Sequence, residues 1–223
     1  MTSAPLVGDT LEVLARENLR NQLVAGLASL KSMGPFSREQ VGVVLGQWFH
    51  PLHYFPAFLS RLIAVSPSLE MQTHISRILW QELGEGEVCK AHERIYITTM
   101  ADAGFEREAF AQARPFDKTI ELVAGYKRAS EDYLSGLGFM YGTEVADLAM
   151  VSTIGELVGE ATARRDLPWV DIHIKQEPDH VDVSNKTLRP AFTVQQQKQI
   201  IASARQMWAL WIGFFERIKE VIV

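Results

Sequence analysis

His173, Glu177 and His180 stand at positions i, i+4 and i+7 of the run Asp171-Ile172-His173-Ile174-Lys175-Gln176-Glu177-Pro178-Asp179-His180. In a helix turning about 100° per residue, all three project from one face. Two imidazoles and a carboxylate on one stripe are a donor set for iron, manganese or zinc. The competing reading is a polar surface stripe, since Lys175, Gln176 and Asp179 share the run. On this segment alone the two readings stand level.

Two further pieces favour the metal. Gln81-Glu82-Leu83-Gly84-Glu85-Gly86 precedes His92, and its glycines interrupt a helical pattern. A continuous helix would hold Glu82 and His92 about 15 Å apart along its axis, too far for one cluster. A glycine break lets two helical pieces converge; a plain turn is the alternative. Glu85 is the rival carboxylate, seven residues from His92. The second piece is Glu144, which follows Phe139-Met140-Tyr141-Gly142-Thr143 and precedes Val145 and Ala146. A carboxylate on an apolar face is costly to bury unless it is paired or metal-bound, so a salt bridge is its simpler explanation. Together the set is Glu82, His92, Glu144, His173, Glu177 and His180: carboxylates that can bridge two cations and imidazoles that can cap each.

This order of Glu, His, Glu and then His-x3-Glu-x2-His resembles the heme-oxygenase-like di-iron oxidases, relatives by fold of thiaminase II and pyrroloquinoline quinone synthase. The Glu-Leu-Gly-Glu-Gly run before His92 is similar to that family's helix break. The resemblance runs through motifs from Leu79 to Val181, and through length and helix order over the whole chain. It implies an all-α heme-oxygenase-like bundle, two Fe(II) per chain and O2 as co-substrate. By the same resemblance His92, Glu144 and His173 would serve one iron and Glu82 and His180 the other, with Glu177 shared or nearby. The implied activity is that of a non-heme di-iron oxygenase or oxidase on a small molecule, an amine or amino acid first, by N-oxygenation or oxidative C–C cleavage or decarboxylation. An external electron donor is an implied partner.

Two departures bear on Glu177. Many members carry Asp at that place, one methylene shorter. Pro178 also follows it, and a proline disfavours the α conformation of the preceding residue and strips the carbonyl of Ile174 of its partner. A kinked helix is therefore expected here, with Asp179 as the substitute should Glu177 not bind.

The rivals are weaker. A ferritin-like bundle needs two Glu-x-x-His motifs, and only Glu177 to His180 fits. A metal-free enzyme or binder of the thiaminase II or pyrroloquinoline quinone synthase type shares the fold; the thiaminase II type would need a cysteine nucleophile. Cys89, the single cysteine, reads instead as a small packed hydrophobe in the helix of His92. In Trp48-Phe49-His50-Pro51-Leu52-His53-Tyr54-Phe55, the residues His50, His53 and Tyr54 read first as core packing with satisfied polar tips, with the lining of a substrate cavity as the alternative. His74 reads as a surface or cap residue, and Trp208 and Trp211 as core.

The elements that must position these residues are helical from end to end. Asp9 with Glu12 starts an amphipathic stretch to Lys31, which Met33-Gly34-Pro35 breaks. Ser37 with Gln40 forms a capping box for a helix to Val65 that is disturbed at His50-Pro51. Ser66-Pro67 opens a helix to Glu82. Helix resumes from Val88 to Met100, and Gly104 and Pro115 bracket a connection. Residues 116–134 are helical, Ser135-Gly136-Leu137-Gly138 loosens the pattern, and it resumes through Glu144 to Ala163. Pro168 opens an element over 169–181, and Thr193 with Gln196 caps the last. There Met207, Trp208, Trp211, Phe214, Phe215 and Ile218 follow a core-facing rhythm. The expectation is one domain over 1–223, a bundle of seven or eight helices.

Bulk properties agree. With 47% apolar and 22% charged residues, the 223-residue chain can bury a core without staples. A net charge of −5 with no clustered Lys and Arg argues against nucleic acid. No apolar stretch approaches the roughly 20 residues of a membrane span, and the N-terminus lacks a basic region followed by an apolar run. One cysteine forbids an intrachain disulfide and fits a reducing cytoplasm. The expected partners are a small molecule and, by the commonest symmetry, a second copy of the chain.

Overall fold

The computed structural model describes residues 19–223. Their regular elements are helices: α1 Leu19–Ser32, α2 Arg38–Val65, α3 Leu69–Glu82, α4 His92–Asp102, α5 Arg107–Ala111, α6 Asp117–Ala129, α7 Tyr133–Thr162, α8 Pro168–Thr187 and α9 Val194–Ile222, with a short 3-10 turn at Val88–Lys90. The helix start at Asp9 and Glu12 lies outside the described residues.

The bundle is organised around α7. Its sequence is apolar on every side, and a helix of that kind is stable only when neighbours cover its whole circumference. It packs against α1, α2, α6, α8 and α9. Close approach is obtained with small residues. A Cβ on Gly136 would overlap the Leu62 side chain of α2, and one on Gly138 would overlap the Ile200 carbonyl oxygen of α9. Both glycines therefore sit inside α7, not at a break. The break falls earlier, where Asp132 accepts from the Ser135 backbone N–H at 2.9 Å and restarts the helix.

The capping boxes at Ser37–Gln40 and Thr193–Gln196 both form. The third expected start moves by two residues. Ser66 precedes Pro67, is extended and closes α2, while Ser68 accepts from the Met71 N–H and opens α3. Helix α2 runs unbroken through Pro51 and Pro56. Helix α8 likewise continues through Pro178 to Thr187, six residues beyond its expected end. The connection between Gly104 and Pro115 contains the short α5. Helix α8 lies against α3, α4 and α7, and these four helices carry the site. No helix among the described residues is long and apolar enough to cross a membrane.

Candidate metal centre

Glu82 is the last residue of α3 and His92 the first of α4. Between them the chain reverses through three successive residues of positive φ: Gly84 at 81°, Glu85 at 55° and Gly86 at 89°. The turn closes the end of α3 with Gly84 N–H donating to Gln81 O at 2.9 Å and Glu85 N–H to Trp80 O at 2.8 Å. A Cβ on Gly84 would overlap the backbone of Glu87, Lys90 and Ala91, so only glycine permits so tight a return. The return sets Glu82 Oε2 3.1 Å from His92 Nδ1. Glu85 is exposed, so the turn admits Glu82 to the interior and excludes its rival.

Helix α8 presents His173, Glu177 and His180 on its buried stripe, as the spacing predicts. Pro178 is exposed. Asp179 faces away and pairs with Arg77 at 2.7 Å, so Glu177 is the carboxylate that points inward. Helix α7 adds Glu144 from its middle, 2% exposed. All six residues singled out in the sequence are buried and converge. His180 Nδ1 lies 3.4 Å from Glu144 Oε2, 3.8 Å from Glu177 Oε2 and 3.9 Å from Glu82 Oε1. One ligand atom each from Glu144, Glu177 and His180 fall within 4.8 Å of one another. The His92 and His173 rings are 4.7 Å apart by their centroids.

A seventh residue, unmarked in the sequence reading, joins them. Asp147 is one turn beyond Glu144, and its Oδ2 is 3.8 Å from His173 Nε2. The signal was available: Glu144-x2-Asp147 places both carboxylates on one helical face.

Two imidazoles are oriented from behind. His173 Nδ1–H donates to the Trp169 carbonyl at 2.7 Å, and His92 Nε2–H donates to Gln176 Oε1 at 2.8 Å. Each bond selects the opposite nitrogen, Nε2 of His173 and Nδ1 of His92, to face the carboxylates.

Crowding perturbs the acid–base behaviour of the group. Burial pushes the Glu82 carboxyl up, but His92, His180 and His173 outweigh it and hold it at about 2. Burial and the charges of Glu144 and Glu82 raise Asp147 to about 7. Burial, then Asp147 and Glu144, drive Glu177 far above the usual carboxylate range. Burial and the nearby His92 depress His173 to about 4. Burial opposes the charged form of His180, but Glu144 and Glu82 lift it to about 9. Three buried carboxylates and the partly buried Asp147, confronting three imidazoles, thus share too little positive charge. Glu144 Oε1, Asp147 Oδ2 and Glu177 Oε1 are shut off from solvent and have no hydrogen-bond partner. Unpaired buried oxygens of this kind are expensive, and a divalent cation is the natural compensation.

A cavity of about 30 Å³ adjoins the group, walled by Trp48, Leu52, Phe55, Tyr126, Thr143 and Trp211. That volume accommodates roughly two water-sized bodies. The Tyr126 and Thr143 hydroxyls bond each other at 2.7 Å. Trp48, Pro51, Leu52 and Phe55 reach the cavity from one face of α2. His50, His53 and Tyr54 occupy another face and line a separate surface groove with residues of α6. The alternative that placed them in the cavity is thereby set aside, because at about 100° per residue positions 50, 53 and 54 lie on a different side of the helix from positions 48, 51, 52 and 55. Cys89 is exposed in the 3-10 turn, not packed. Trp208 and Trp211 are in the core, and Trp211 also walls the cavity.

These features define a class: an all-helical bundle with a buried carboxylate–imidazole group capable of holding cations beside a small apolar cavity. The family of iron-containing redox enzymes matches residues 43–212, and the chain belongs to that family. Solved structures place its fold among the heme-oxygenase-like bundles. A CadD-like protein of unknown function from Nostoc punctiforme superposes with a TM-score of 0.80, 12% identity and 97% of each chain covered. A domain of unknown function with a heme oxygenase-like fold from Shewanella denitrificans gives 0.72, 14% identity and 91% of each chain. A TenA homolog from Pseudomonas syringae gives 0.64 at 13% identity, covering 91% of this chain and 93% of that one. No curated protein sequence matches.

Proposed function

We propose that the protein is an O2-activating non-heme di-iron oxygenase or oxidase acting on a small amine or amino acid, with Glu82, His92, Glu144, His173, Glu177 and His180 as ligands. The observation that carries this reading is the buried group itself: imidazoles turned by Trp169 and Gln176 toward carboxylates whose oxygens lack partners. The family's description as iron-containing supports iron as the metal. Bound Fe(II) would supply the electrons with which O2 is reduced, chemistry that no side chain performs unaided.

The protein's own share is positional. The hydrogen bonds at Trp169 and Gln176 hold two imidazoles in one tautomer. Trp48, Leu52, Phe55 and Trp211 keep bulk water from the cavity. Thr143 donates to the Phe139 carbonyl and Tyr126 to Thr143, so this neutral pair presents only acceptor oxygens with which to orient a donor such as an amine. No Lys or Arg is among the described residues lining the cavity, and four carboxylates lie at its floor or beside it. An electropositive amine is favoured in such surroundings, and an isolated anion has no partner. A metal-free activity of the thiaminase II type lacks support, since the single cysteine is exposed outside the cavity.

The test is to load metal-free protein anaerobically with Fe(II), count bound iron per chain, then mix with O2 and follow the visible spectrum. The expected result is close to two irons per chain and a transient band whose decay an amine or amino acid hastens. Absence of stoichiometric iron, or no absorbance change with O2, rejects the proposal.

A further inference from the structure

We propose that Asp147 is a further ligand of the centre, acting with Nε2 of His173, so that three imidazoles and four carboxylates hold the metal. This rests on the di-iron reading above and extends it to a residue outside the set of six.

The argument is geometric. Asp147 Oδ2 and His173 Nε2 are 3.8 Å apart. That separation is too long for a hydrogen bond, whose N···O limit is about 3.2 Å. Carboxylate oxygens and imidazole nitrogens each sit about 2.0–2.2 Å from a transition metal, so two ligands of one ion lie no more than about 4.4 Å apart. The pair therefore has the spacing of two donors to one cation. The imidazole contributes the correct atom, because its other nitrogen donates to Trp169 O at 2.7 Å.

Glu177 is the hydrogen-bonding neighbour of the carboxylate, and no cation-bearing side chain among the described residues, other than an imidazole, faces it. Among the described residues, His173 is the only basic group within ion-pair distance of Asp147, and no Lys or Arg reaches it. Its Oδ2 is shut off from solvent without a partner. The Asp147 side chain as a whole is 15% exposed, and the same isolation of one oxygen holds for Glu144 Oε1 and Glu177 Oε1, on side chains 2% and 4% exposed. A surface carboxylate would be satisfied by water; this one adjoins the cavity floor with Glu82, Glu144 and Glu177.

The placement also balances the site. Nδ1 of His180 is surrounded by Glu144, Glu177 and Glu82 at 3.4 to 3.9 Å, which supplies one metal position generously. Asp147 provides an oxygen donor on the His173 side, which those distances leave less well served.

Anaerobic Fe(II) titrations of the wild type and of Asp147→Asn test the proposal, with bound iron per chain and the melting temperatures of metal-free and loaded protein as readouts. The expected result is two equivalents in the wild type and, in Asp147→Asn, one equivalent retained and the other weakened at least about 10-fold. Metal-free Asp147→Asn should melt no lower than the wild type, since the substitution relieves like-charge crowding, while the loaded variant melts lower. Asp147→Glu, which keeps an oxygen donor, should still take up two. A titration unchanged in Asp147→Asn overturns the assignment while leaving the di-iron reading intact. A metal-free variant that melts lower or fails to fold assigns Asp147 to structure and likewise overturns it. A wild type that binds no iron overturns both.

Discussion

At the scale of single residues, each buried group of the cluster has a neighbour that explains its state. His173 is turned by Trp169 and lies deep among other imidazoles. His173→Ala is therefore expected to lower bound iron from two per chain toward one and to abolish O2-dependent turnover, with the far-UV circular dichroism spectrum unchanged. Two bound irons and full turnover in the variant would refute that role. Glu82→Ala should be comparably severe and Glu85→Ala mild, because only the first carboxylate is buried beside His92; iron counts on the two variants decide it. Proton linkage gives a further test on metal-free protein. His173 is held near 4 against an ordinary 6.5, so its neutral form contributes stability present above about 6.5 and lost as pH falls toward 4. His180 is raised to about 9, so its charged form contributes stability present below about 6.5 and lost as pH rises through 9. The melting temperature of metal-free protein should accordingly decline on both the acid and alkaline sides, and His180→Gln should flatten the alkaline limb. A melting temperature independent of pH over that span would contradict both placements.

At the scale of elements, the reversal between α3 and α4 decides whether Glu82 meets His92. Gly84 has φ of 81° and no room for a Cβ among Glu87, Lys90 and Ala91. Gly84→Ala should cost about 2 kcal/mol or more, from left-handed strain with steric overlap added. It should also weaken iron binding by moving His92. Gly26→Ala is the matched control: it lies in α1 with nothing within 4 Å of the new methyl, and helix propensity predicts a gain of about 0.5–1 kcal/mol. Urea midpoints measure both, and equal responses would mean that the turn is not under conformational constraint. Helix α8 makes a complementary point. Pro178 costs the helix a hydrogen bond, yet the element continues through it. Burial of the His173, Glu177 and His180 stripe against α3, α4 and α7 outweighs the local preference of the residue preceding a proline.

At the scale of the whole molecule, four helices contribute to one cluster, so a cation held there would couple its binding to folding. A ligand that binds only the folded chain stabilises it by about 2.7 kcal/mol at 100 times its Kd. Loading with Fe(II) should raise the melting temperature in a concentration-dependent manner, and a chelator should reverse the gain. A melting temperature indifferent to both would mean that the carboxylates are compensated without metal. The apolar circumference of α7 and the glycine contacts with α2 and α9 set the distance between the helices that carry the proposed ligands, so overpacking at Gly138 should propagate to the cluster, and lower bound iron per chain, though it touches none of the seven residues.

The sequence by itself determined what depends on local periodicity. The stripe of His173, Glu177 and His180, the two capping boxes and the core rhythm of α9 each involve residues a few positions apart, where helix geometry alone dictates which side chains share a face. The glycine break before His92 was legible for the same reason. Only the tertiary structure decided matters between elements. It buried Glu82 and Glu177 in the cluster while leaving Glu85 and Asp179 outside it, exposed Cys89, set His50, His53 and Tyr54 apart from the cavity, and brought Asp147 to His173. The rotation of each helix about its axis is set by how it packs, and packing sums contacts from residues a hundred or more positions apart that no local pattern records.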